Sequence, residues 1–153
     1  MTEKENKLPN RYNLRVYAII TNSKHEMLVS DEFHFGEHFT KFPGGGLEFG
    51  EGLSDALKRE FMEEFHLKID VKNIFYVNDY FQLSSFNEND QLLSFYYFAT
   101  FDEVENFTTS KTPVDLKKEG ESLRWVDIAT FDVKKMRFPI DQLVAEKLKS
   151  FQW

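Results

Sequence analysis

The sequence predicts a single α/β domain. Three observations carry this reading. Runs of strand character occupy both halves of the chain, two segments repeat apolar residues with helical period, and the order is strands, helix, strands, helix. A length of 153 residues suits one domain, and 41% hydrophobic residues, including 17 Phe, supply an aromatic-rich core. The domain is expected over residues 11–153, behind a loose polar tail from Met1 to Asn10.

Arg15 to Ile20 reads as the first strand and Glu26 to Ser30 as the second, with Thr21-Asn22-Ser23-Lys24 as the turn between them. Phe39 to Phe42 is short and extended, because Pro43 disfavours helical geometry in the residue before it. Ser54 to Phe65 is a helix: Leu53, Leu57, Phe61 and Phe65 recur every four residues, Ser54 is its expected cap, and Asp55 suits its dipole. Ile69 to Asn78 and Gln91 to Phe101 follow as strands, linked by the polar stretch Ser84 to Asp90. Ser122 to Asp127 is the next strand, with Trp125 assigned to the core. The last helix runs from Ile140 to Phe151, with Leu143, Val144, Lys147 and Leu148 along its inner side and edge.

Composition removes several classes of function. There is no Cys, so disulfides, thiolate nucleophiles and Cys-based zinc sites are excluded. A net charge of −7 argues against binding a nucleic-acid polymer, and an anionic substrate then needs metal ions or a local basic patch. No apolar run approaches a membrane span, and the polar start lacks a signal-peptide core, so the expected location is cytoplasmic.

Residues 45–67 carry the chemistry. Gly45, five residues, Glu51, seven residues, then Arg59-Glu60-Phe61-Met62-Glu63-Glu64-Phe65-His66-Leu67 places a Gly-rich turn ahead of a helix with clustered carboxylates. Glu60, Glu63 and Glu64 stand at i, i+3 and i+4 and converge on one part of the helix surface. Like charges at these spacings cost roughly 0.2–0.5 kcal/mol per pair. A bound cation reverses that cost, and carboxylate and carbonyl oxygens are the ligands Mg²⁺ prefers.

This stretch resembles the Nudix box, the signature of the Nudix hydrolase superfamily. Gly45, Glu51, Arg59, Glu60, Phe61, Glu63, Glu64 and Leu67 match the pattern, and Pro43, Gly44, Glu48, Gly50 and Ala56 occupy common positions around it. His66 departs, standing where the family usually has a Gly that ends the helix in a left-handed conformation. The resemblance implies an α/β/α sandwich around a central mixed β-sheet. It implies that Glu60, Glu63 and Glu64 hold Mg²⁺ or Mn²⁺ with the Gly45 carbonyl, that Glu51 helps organise the site, and that Arg59 orients the carboxylates. It also implies a small-molecule nucleotide as substrate.

Outside the box the resemblance is to MutT-type nucleoside triphosphate pyrophosphohydrolases. Glu119, in Lys118-Glu119-Gly120, is the candidate general base, with Glu48 and Glu121 as alternatives. Phe42 is the candidate for stacking on a base, and Asp141 or Gln142, after Phe138-Pro139, for reading its edge. Val29-Ser30-Asp31 departs from the family, which often has a basic substrate-binding residue there. His34 and His38 flank Gly36 in what reads as a surface loop leading toward the site and its substrate, in preference to a metal pair, and Tyr80, Phe81 and Phe86 read as core residues or loop anchors in preference to stacking on a base.

The expected function is metal-dependent cleavage of a pyrophosphate bond in a nucleoside diphosphate derivative, foremost a nucleoside triphosphate, canonical or oxidised. The alternatives are an ADP-ribose or nucleotide-sugar pyrophosphatase and a non-catalytic nucleotide-sensing module. Family members are often dimers, so a homodimer is a further expectation, although no interface is marked in the sequence.

Overall fold

A computed structural model describes residues 7–153, so most of the tail expected over Met1 to Asn10 lies outside the described residues. Among the described residues seven strands and two α-helices follow one another: β1 (Arg11–Ile19), β2 (Glu26–His34), β3 (Glu37–Lys41), β4 (Gly44–Gly46), α1 (Leu53–Phe65), β5 (Asp70–Val77), β6 (Asp90–Thr100), β7 (Gly120–Asp127) and α2 (Pro139–Lys149).

The strands form two sheets. One is mixed, in the order β4-β1-β6-β5, with β1 and β6 parallel from Arg11↔Asp90 to Ile19↔Phe98. The other is antiparallel, in the order β3-β2-β7. The expected mixed sheet is therefore present, but β2, β3 and β7 pair among themselves beside it. The link is local: Leu28 N–H donates to Ile20 O at 2.9 Å, and Thr21 bridges Met27.

Side-chain alternation along β1 builds the sandwich. Val16, Ala18 and Ile20 bury on the side of α1, with Ala56, Leu57 and Phe61. Tyr17 and Ile19 bury on the opposite side, against Ile140, Val144 and Leu148 of α2. The helices thus cover opposite faces, as the fold class required. Among the described residues no helix is long and apolar enough to cross a membrane.

Several local expectations are corrected. Helix α1 starts one residue early, with extended Gly52 as its cap, and Ser54 lies inside the first turn without capping. At the other end His66 takes the left-handed conformation (φ 55°, ψ 33°) that the missing Gly would supply. Its N–H bonds to Met62 O, the single bond of an αL cap, and Leu67 N–H reaches Phe61 O at 3.4 Å. The inner stripe of α2 is Ile140, Val144 and Leu148 with Asp141 and Ala145; Leu143 and Lys147 face out. Trp125 is only partly buried, its Nε1–H donating to Phe107 O. His34 and His38 are not in a loop but on β2 and β3, facing a two-residue turn in which Phe35 and Gly36 both have positive φ.

Candidate active site

The Gly-rich turn is itself a strand, β4, laid antiparallel to β1 with Val16 opposite Gly45. Gly44 has φ +152°, and a Cβ there would fall 2.0 Å from Val16 O, so only glycine fits. At Gly45 the constraint is a functional neighbour: a Cβ would lie 2.3 Å from Cδ of Glu60. The Glu60 carboxylate thus rests against the Gly45 backbone. Gly45→Ala is expected to leave the melting temperature nearly unchanged, because the far end of a Glu side chain can move aside. It is expected to weaken Mg²⁺ affinity about tenfold or more, as displaced metal ligands do. Titration of Mg²⁺ or Mn²⁺ against both proteins checks this.

Arg59 organises the box. Its Nε–H and Nη2–H donate to the two oxygens of Glu51 at 2.9 and 2.7 Å, a bidentate pair. Its Nη1–H reaches Glu60 at 3.1 Å and Glu63 at 3.2 Å, and Nη2–H also reaches Gly46 O at 3.0 Å. The hydrogen bonds to Glu51 push the guanidinium pKa up, and those from Arg59 and Glu48 N–H hold the Glu51 carboxyl down. One side chain therefore ties the turn to the helix and orients three carboxylates. Glu51 is thereby occupied with Arg59.

A cleft of about 390 Å³ opens beside this network. Gly45, Glu60 and Glu64 line it, whereas Glu63 is 59% exposed and does not line it. Oε2 of Glu64 is buried and has no hydrogen-bond partner. Burial pushes the Glu64 carboxyl up to about 8; Lys41 opposes this, and Glu32, Glu60 and Glu121 add to it. A buried acceptor without a partner, next to a second carboxylate and a closely approached backbone, fits a divalent cation held by oxygens.

On the opposite wall the sequence had offered Glu121, as an alternative base, and His34, in a segment leading toward the site, but not Glu32. Ser30, Glu32 and His34 alternate along one face of β2, and Glu121 of β7 lies directly across from Glu32. Two opposed carboxylates repel, and the His34 ring and the Lys41 ammonium lie against them. His34 Nε2 is 2.8 Å from Glu121 Oε1 and 3.5 Å from Glu32 Oε1, and the donor atoms of these three residues lie within 4.8 Å of one another. Lys41 Nζ is 3.1 Å from Glu32 Oε2 and donates to Phe42 O and Gly44 O, so all three of its N–H donors are engaged. Arg15, with Nε–H on Tyr17 Oη at 3.3 Å, also lines the cleft and supplies the local positive charge that the acidic chain requires.

The candidates outside the box are redistributed. Glu119 is 68% exposed, does not line the cleft, and contacts the Phe35 N–H; Glu121, the alternative, is on the wall. Phe42 is fully buried, edge-on to Tyr96, so its ring has no face for a base. Asp141 is fully buried as well, accepting from Phe42 N–H at 3.1 Å and from the Tyr96 hydroxyl. Burial pushes its carboxyl up to about 6, against the opposing effect of the Tyr96 hydrogen bond. Gln142 donates to Met136 O at 2.8 Å and does not line the cleft. Asp141 and Gln142 thus fasten α2 to the core. The rings that do line the cleft are Phe35, Phe39, Phe86 and Phe138, whereas Tyr80 and Phe81 are exposed elsewhere.

Comparison with known proteins agrees with this fold. A family model described as the NUDIX domain matches residues 11–147. No curated protein matches the chain. A NUDIX hydrolase from Nitrosomonas europaea superposes with a TM-score of 0.67 at 18% identity, over 90% of this chain and 88% of its own. A MutT protein from Methanosarcina mazei Go1 gives 0.64 at 19% identity, over 93% and 96%. A MutT structure from work on Aliivibrio salmonicida and Vibrio cholerae gives 0.57 at 26% identity, over 92% and 98%.

Proposed function

Because the chain belongs to the Nudix family, and is a pyrophosphohydrolase acting on phosphoric anhydride bonds of nucleoside diphosphate derivatives, we propose that its substrate is a nucleoside triphosphate and that Mg²⁺ or Mn²⁺ is required. The observation that carries the proposal is the meeting of Glu60, Glu64 and the Gly45 backbone at one end of a cleft whose other end is aromatic. Such a cleft suits one nucleoside with its phosphate chain, the substrate type that the resemblance to MutT-type nucleoside triphosphate pyrophosphohydrolases implies.

Glu60, Glu64 and the Gly45 carbonyl would hold the cation, with Glu63 joining from the rim. The cation would neutralise phosphate oxygens and lower the pKa of a water. Arg59 keeps Glu60 and Glu63 aimed, and Arg15 offers its guanidinium to phosphate oxygens. Glu121 replaces Glu119 as our candidate base. Its Oε1 is fixed by His34, and Oε2 would accept the proton of the water whose oxygen attacks phosphorus as the P–O anhydride bond breaks.

The test is phosphate and pyrophosphate release across canonical and oxidised dNTPs, ADP-ribose, nucleotide sugars and dinucleoside polyphosphates, with Mg²⁺ or with chelator. We expect metal-dependent turnover that is fastest on a triphosphate. A sugar nucleotide as best substrate would move the assignment to that class. Nucleotide binding without any turnover would leave a sensing module.

A further inference from the structure

We propose that Glu32, His34 and Glu121 form a site for Zn²⁺, separate from the cation of the box helix, and that its occupancy stops turnover by taking Glu121 out of use. The inhibitory effect, though not the site, rests on Glu121 being the base in the reading above.

The set comes from two adjacent strands. Glu32 and His34 stand two residues apart on one face of β2, and Glu121 of β7 lies across from Glu32. One donor atom from each falls within 4.8 Å of the others, with His34 Nε2 2.8 Å from Glu121 Oε1 and 3.5 Å from Glu32 Oε1. Ligand atoms about 2.0–2.2 Å from a tetrahedral zinc stand roughly 3.3–3.6 Å from one another, so small side-chain rotations fit all three to one ion. All three residues line the cleft, where water or a phosphate oxygen would complete the shell.

Two further features point to a ligand. The Glu32 side chain is 4% exposed, yet one of its oxygens is unused. Ser30 Oγ, at 2.7 Å, and Lys41 Nζ, at 3.1 Å, both hold Oε2; Oε1 accepts no hydrogen bond among the described residues and faces the His34 ring. A free oxygen on a buried carboxylate, aimed at an imidazole nitrogen, is satisfied by a shared cation. On the far side of the ring, His34 Nδ1 faces Glu119 Oε2 at 3.9 Å. A carboxylate there favours the tautomer with its proton on Nδ1, which leaves the Nε2 lone pair for a metal. The imidazole also sets the choice of ion: oxygen ligands alone suit Mg²⁺, whereas imidazole suits Zn²⁺. Lys41 offsets one of the two carboxylate charges and so keeps the binding reversible. A zinc-bound Glu121 has given up the lone pairs with which it would take a proton from water.

The test is titration of Zn²⁺ into the whole protein in excess Mg²⁺, for the wild type, His34→Gln, Glu121→Gln and Glu60→Gln. Calorimetry follows the binding, ring ¹⁵N resonances follow the 4 histidines, and thermal melting confirms that each variant is folded. One Zn²⁺ should bind, and the His34 Nε2 resonance should move while those of His25, His38 and His66 stay. Mg²⁺ by itself should not move it. His34→Gln and Glu121→Gln should each weaken the binding about tenfold or more, and Glu60→Gln should keep it. Zn²⁺ should inhibit Mg²⁺-driven nucleotide hydrolysis with an inhibition constant that matches its dissociation constant. Binding lost in Glu60→Gln but kept in His34→Gln, a shift at another histidine in place of His34, or no binding at all would overturn the site. Zn²⁺ held at His34 with full turnover would overturn its inhibitory role. No turnover on any nucleotide, with the His34 signature intact, sinks the hydrolase reading and supports the site.

Discussion

Glu64→Gln is expected to lower Mg²⁺-dependent turnover by about 10²–10⁴-fold while making the metal-free protein more stable at alkaline pH. Both effects come from one atom. Oε2 of Glu64 is buried without a partner, in a cleft shared with Glu32, Glu60 and Glu121. Its carboxyl sits near 8 in the fold, against 4.5 when unperturbed. A group raised on folding contributes stability that is complete below the unfolded value and is lost as pH climbs through the folded one. The metal-free wild type should therefore weaken between about pH 4.5 and pH 8, and Gln removes this group's share of that loss. Allowing for the solvent that reaches the side chain, the difference should be about 1–2 kcal/mol. Urea unfolding with chelator at pH 5 and pH 8.5 measures it. An identical pH dependence in the two proteins would show that Glu64 is not the strained group. Full turnover in the variant would remove it from the metal centre.

Lys41→Met is expected to cost about 3–5 kcal/mol, because it leaves the Glu32 carboxylate buried without its cation. The pair is enclosed on both sides, with side-chain exposures of 6% and 4%. Burial pulls the Lys41 ammonium down, but Glu32 and Tyr17 outweigh it and the charge is held above its ordinary pKa. Loss of Nζ also strands the carbonyls of Phe42 and Gly44, which position the turn before the box, so turnover should fall with stability. Adding Glu32→Gln should recover part of the stability without recovering activity. The check is a double-mutant cycle followed by denaturant and by substrate hydrolysis. A single-mutant cost under about 1 kcal/mol would mean that water already reaches the pair.

The box was legible because its geometry is local. Spacing alone places Glu60, Glu63 and Glu64 together on a helix, and Gly45 and Arg59 close the same short loop. The departure at His66 left the helix exit open, and the structure closes it with that residue's left-handed φ. The order of strands and helices followed from periodicity. What periodicity does not contain is pairing. The contact between His34 and Glu121 spans 87 positions, and that between Phe42 and Asp141 spans 99. The first exists because β2 and β7 share a register that opposes Glu32 to Glu121; a one-residue slip would turn every such side chain to the other face. The second explains why Phe42 became core while Phe39 and Phe86 kept an open face, a choice made by which neighbours fill the space around each ring. The sequence by itself determined the carboxylate-bearing helix and the enzyme class. The tertiary structure decided which carboxylates and which aromatic rings line the cleft, because both depend on contacts between segments far apart in the chain.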